Sequence, residues 1–160
     1  MSLTLKDLKQ QLECEFTIEE INKEIRNIYY SQPYPFRERT LIILTEPNKK
    51  RYDIPKIMQL GTMKVLLNNQ ELKAGQDYFF CSYYISLLDE PKEKMVLIID
   101  YLTLAIGENE EGTELLMLEN ETDKLLLPEY LESLFLHALK CKLEGKEWMK
   151  QFNKYTGVKA

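Results

Sequence analysis

The sequence predicts an α+β fold, in which helices from both ends of the chain form a helical bundle and the middle forms a small antiparallel β module. Three observations predict it. Thr4 stands three residues before Asp7, and Thr17 three before Glu20, so each hydroxyl can cap a helix whose first turn carries a carboxylate. From Pro128 onward, Leu131, Leu134, Phe135, Ala138 and Leu139 recur at three- and four-residue steps, the period of a helix with one apolar face. Between these ends, β-branched and aromatic runs are cut at short intervals by Pro, Gly and Asn, the punctuation of strands and turns. The expected organisation is a single domain over 1–160, with 1–31 and 125–155 in the bundle and 37–124 in the β module.

Taken in order, the helix opened by Thr4 carries Leu5, Leu8 and Leu12 on one face. The helix opened by Thr17 carries Ile18, Ile21, Ile25, Ile28 and Tyr29, and the short break over 13–16 favours packing the two as a hairpin. Pro33 and Pro35 end the second helix, because the residue before a proline is pushed to extended conformations. A strand is expected from Glu38 to Thr45 and another from Lys50 to Ile54, closed by Pro55. Met58 to Leu67 reads as a strand interrupted by Gly61, and Asn68-Asn69 offers two residues tolerant of positive φ before the chain returns over Gln70 to Lys73. Tyr78 to Leu87 is an aromatic-rich strand, and Met95 to Ile106 a central one with aliphatic residues on both faces. Pro128 opens the C-terminal helix, which Gly145 breaks or bends before Trp148, Phe152 and Tyr155.

A chain of 160 residues can bury a self-standing core. The runs Leu41 to Leu44 and Met95 to Ile99 are far shorter than the about 20 apolar residues that span a bilayer. No apolar segment followed by a small-residue cleavage site stands at the N-terminus, so neither secretion nor a membrane partner is expected. Cys14, Cys81 and Cys141 are odd in number and far apart, which reads as reduced, buried or partly buried thiols in a cytosolic setting. A net charge of −5 disfavours direct grip on a phosphate backbone.

Residues able to carry chemistry are scattered. His137 and Cys141 stand four apart on one helix, but a zinc site needs two further ligands and none is paired with them, so both read as packing residues. Glu108, Glu110, Glu111 and Glu114 read as a solvated hairpin tip, and Lys49, Lys50, Arg51, Arg37 and Arg39 as exposed charge. Neither phosphate-binding glycine motif is present. No catalytic residue, cofactor or metal is assigned. The residues singled out for binding a partner are Trp148, Phe152 and Tyr155, large aromatics in the last helical segment.

A succession of short motifs resembles the head-to-tail adaptor, or head-completion, ring proteins of short-tailed phages, the crAss-like phages included. The succession is a helical pair ending in Tyr34-Pro-Phe36, a strand, Tyr52-Asp-Ile-Pro55, the strand Met63-Lys-Val-Leu-Leu-Asn-Asn-Gln-Glu-Leu72, a variable β region, and a helix start at Pro128-Glu-Tyr-Leu131. The resemblance implies a structural virion protein, made in the host cytoplasm, and not an enzyme. It implies a homo-oligomeric ring, a dodecamer in that family, docked on the portal protein and receiving tail or further ring proteins. DNA would pass through the channel without specific binding, and an acidic lining would let it slide. With about five residues after Tyr155, 145–155 would have to serve in place of a long docking tail, and portal docking stays open between that segment and the β hairpins. The alternative is a small cytosolic ligand- or protein-binding regulatory module whose pocket lies near Phe79 and Tyr83. A hydrolytic or metal-dependent enzyme built on His137 is the third reading.

Overall fold

Both threonine caps are in place, but the helices that follow them are short. In the computed structural model, which describes residues 3–12 and 15–157, Asp7 N donates to Thr4 Oγ1 at 3.1 Å and Thr4 N to Asp7 Oδ2 at 3.0 Å. This capping box opens α1, Leu5–Gln11. Glu20 N donates to Thr17 Oγ1 at 3.1 Å to open α2, Ile18–Tyr30. Residues 13 and 14, which include Cys14 and half of the expected break between these helices, lie outside the described residues, as do the tail residues 158–160. Cys81 and Cys141 are half-buried free thiols.

The expected helical bundle does not form. The described residues hold ten strands in three sheets and four short helices, an α+β mixture about 30% helical. The reason is length: α1 has 7 residues and the last helix 8, two turns each, too little surface to cover the apolar stripes of α2 and the C-terminal helix. Strand-rich chain completes the cover. Contacts divide the chain into two compact units, Met1–Arg37 with Ala105–Ala160, and Glu38–Leu104.

In the first unit α1, α2, α3 (Glu132–Leu143) and α4 (Met149–Thr156) share a core with Ile106, Leu118 and Leu125. These three come from the segment holding β8 (Gly107–Glu108), β9 (Glu114–Leu115) and β10 (Lys124–Leu125), a three-stranded sheet of order β10-β8-β9. The N-terminal segment is laced to that segment through its backbone: Leu5 N donates to Asp123 O at 2.8 Å and Leu125 N to Leu3 O at 2.9 Å. Asn22, on the buried face of α2, donates to Leu118 O at 2.8 Å and accepts from Leu118 N at 2.7 Å. A buried amide there satisfies both backbone groups of a residue outside any strand ladder.

The second unit is all strand. β1 (Glu38–Leu44), β7 (Val96–Leu102), β3 (Lys64–Leu67) and β4 (Gln70–Leu72) form one antiparallel sheet in the order β1-β7-β3-β4. The other sheet, β2-β6-β5, is built from β2 (Arg51–Asp53), β6 (Tyr84–Leu87) and β5 (Tyr78–Phe80). Both sheets contribute to one apolar core, with Val65, Leu97 and Ile99 from the first and Tyr52, Tyr78 and Ile85 from the second. Asn68 and Asn69, at φ 47° and 67°, turn β3 into β4, as two left-handed residues in a tight hairpin do. The run Tyr78 to Leu87, expected as one strand, folds back on itself as β5 and β6, with Phe80 opposite Ile85. The interrupted strand expected from Met58 is regular only over Lys64–Leu67.

Candidate functional site

One candidate site is a groove between α3 and α4, and the Tyr34-Pro-Phe36 motif is what holds α4 in place. Tyr34 is buried, stacks on Phe36 with ring centroids 5.4 Å apart, and meets Phe152 of α4 edge-on at 5.3 Å. Its hydroxyl donates to Asn153 Oδ1 at 2.8 Å, so one side chain both packs on α4 and hydrogen-bonds to it. Beside it, Arg37, expected at the surface, is buried: Nη1 donates to Tyr29 O and Gln32 O, both at 3.0 Å. Carbonyls at the end of a helix lack intrahelical partners and carry the negative end of the helix dipole, which suits a guanidinium. Burial lowers the Arg37 pKa, with Tyr30 and Tyr34 opposing the shift.

Gly145 ends α3 and aims the chain into α4. At φ 75° it takes the left-handed conformation, Lys146 N donates to Cys141 O at 2.7 Å, and Gly145 N to Lys142 O at 3.2 Å. This is the two-bond C-terminal cap in which glycine avoids the Cβ penalty. Trp148 then sits just outside α4, and Glu147 Oε1 caps the first turn by accepting from Lys150 N at 3.0 Å. His137 from α3, with Glu147, Trp148, Lys150, Gln151 and Lys154, lines an open groove of about 380 Å³. A lining that combines the Trp148 indole with Lys150 and Lys154 suits a partner that is both apolar and acidic.

The three aromatics singled out for partner binding therefore part company. Phe152 is fully buried, in contact with Tyr34, Phe135 and Trp148, and is a core residue. Trp148 is half-buried and open to the groove, and Tyr155 is 55% exposed. A four-and-three spacing suggests one stripe only if all three residues are helical, but α4 begins at Met149 and buries the face of Phe152, Asn153 and Thr156. What sequence reasoning missed is the lysine set: residues 137–157 hold five lysines against two glutamates in a chain of net −5, a signal present in the sequence.

The other candidates carry less. Cys141 Sγ and His137 Nε2 are 3.6 Å apart on the exposed side of α3. Among the described residues, no three His, Cys, Asp or Glu side chains gather to hold a metal ion, and no helix is long and apolar enough to cross a membrane. Phe79 and Tyr83, expected around a ligand pocket, are exposed, whereas their neighbour Tyr78 is in the core. Searches against protein-family models and curated proteins return no match to this chain.

Proposed function

We propose that the protein is a structural subunit of a phage head-to-tail adaptor ring, joining portal to tail and forming part of the DNA channel. The observation that carries the reading is that both compact units leave large apolar side chains in the open. On the second unit, Ile42 and Leu44 of the edge strand β1 are each 65% exposed, with Val96 opposite Leu44. On the first, Leu116, Met117, Tyr130 and Tyr155 are exposed, as is the Trp148 groove. A monomer gains nothing from such surfaces, while a ring subunit must meet neighbours on two sides and other proteins above and below. The edge strand with its exposed aliphatic side chains is also a place where a further strand can add. The order of motifs from Tyr34-Pro-Phe36 to Pro128-Glu-Tyr-Leu131 supports the same reading.

In this reading the protein acts by geometry rather than chemistry. The groove at Trp148 and the exposed Tyr155 receive a protein partner, the β unit reaches neighbours or tail proteins, and the net negative charge lets DNA move through without sticking. Mass spectrometry of purified particles from the phage that encodes the chain tests the proposal. The chain is expected at a fixed ratio to the portal protein. Finding it in infected cells but absent from particles would overturn the reading.

A further inference from the structure

Charge is distributed unevenly within the first unit. Residues 107–123 hold six glutamates and Asp123 with no lysine or arginine, while the lysines Lys140, Lys142, Lys146, Lys150 and Lys154 cluster along α3, its cap and α4. The acidic segment is held in shape. β8 and β9 pair across it, Asn109 Oδ1 accepts from Glu111 N and Thr113 N at 3.0 Å, and Asp123 Oδ2 accepts from Glu119 N and Asn120 N at 2.9 and 2.8 Å. That frame holds Leu116 and Met117 out at 45% and 44% exposure, with Glu110, Glu111 and Glu119 exposed in the same segment. Its described ion pairs run to Lys124 and Lys9, not to the groove lysines Lys150 and Lys154.

We propose that this acidic segment, 108–121, docks in the Trp148 groove of a second copy of the chain. Leu116 and Met117 lie on the indole, and glutamates face Lys150 and Lys154. The inference rests on the ring reading and names the surface through which copies join. The two surfaces match in character: an apolar pair flanked by carboxylates meets an indole flanked by ammonium groups. They are also different surfaces of one unit, so the contact is head-to-tail. Each copy offers a groove on one side and an acidic segment on the other, and repetition closes into a ring when the rotation allows it.

Two full-length variants test this. Lys150→Glu with Lys154→Glu disables the groove and leaves the acidic segment intact; Glu110→Lys with Glu111→Lys does the reverse. All four positions are exposed, and far-UV circular dichroism with Trp148 emission verifies folding. Native mass spectrometry and sedimentation are expected to show that each variant alone self-associates at least about tenfold more weakly than the parent, because like charges now face each other. The mixture is expected to regain association in assemblies that alternate the two variants, since the intact segment of one meets the intact groove of the other and the two reversed surfaces also match in charge. Combining all four substitutions in one chain restores self-association. A variant that self-associates as the parent does, or a mixture that forms no complex, overturns the inference. The ring reading survives that result if particles still contain the chain, and it fails separately if they do not.

Discussion

At the residue scale, Tyr34 connects the parts of the first unit. Its ring packs between Phe36 and Phe152, and its hydroxyl, 2.9 Å from Ser31 Oγ, donates to Asn153. Replacing Tyr34 with Phe keeps the packing but leaves the buried Asn153 oxygen without its donor, which costs about 1–3 kcal/mol. Urea denaturation checks this, and an unchanged midpoint would contradict it. Burial raises the pKa of both Tyr29 and Tyr34, at Tyr34 against the opposing effects of Ser31 and Arg37. The folded chain therefore holds these phenolic protons more tightly than the unfolded chain, whose tyrosines ionise near about 10. Their contribution to stability is complete below that pH and is lost as pH rises above it. The expected result is a denaturation midpoint that is level up to about pH 10 and falls as pH rises above it. Tyr29→Phe should flatten that fall.

At the element scale, local signals were legible where they are chemical and short. Thr4 and Thr17 cap helices, Asn68-Asn69 turns a hairpin, and Gly145 ends α3, because each feature is fixed by a side chain or a φ angle within a few residues. What covers an apolar stripe is decided by distant residues, so the role of Ile106, Leu118 and Leu125 against α2 was not legible, nor was the Asn22 bond to Leu118. The burial of Arg37 was likewise hidden, since it depends on carbonyls freed where α2 ends. Gly107 tests the packing around β8: a Cβ there would run into the Leu118 side chain and the Lys124 carbonyl. Gly107→Ala is expected to cost about 1–3 kcal/mol and to loosen the acidic hairpin, read by thermal melting and hydrogen exchange. Wild-type stability would contradict this packing. Phe152→Ala empties a core site and should cost about 3–5 kcal/mol. Trp148→Ala, at the groove, should weaken assembly more than folding, and equal loss of both would contradict the division between core and partner surface.

At the scale of the whole molecule, the mixture of helix and strand was legible in the capped ends and the punctuated middle, while the bundle was not, because helix length fell below what a bundle needs. The candidate site was half legible. Aromatic side chains near the last helix drew attention to the segment that holds the groove, but which of them faces out depends on where α4 starts, and the surrounding lysines give the groove its character. Surfaces of opposite charge on one unit, together with exposed aliphatic side chains on the other, are what the proposed ring subunit would use to meet several partners at once. The most direct measurement is cryo-electron microscopy of particles containing the chain. The account predicts a closed dodecameric ring of this protein between portal and tail, around an open channel. Particles in which that position is filled by other proteins, with this chain elsewhere in the particle, would contradict it.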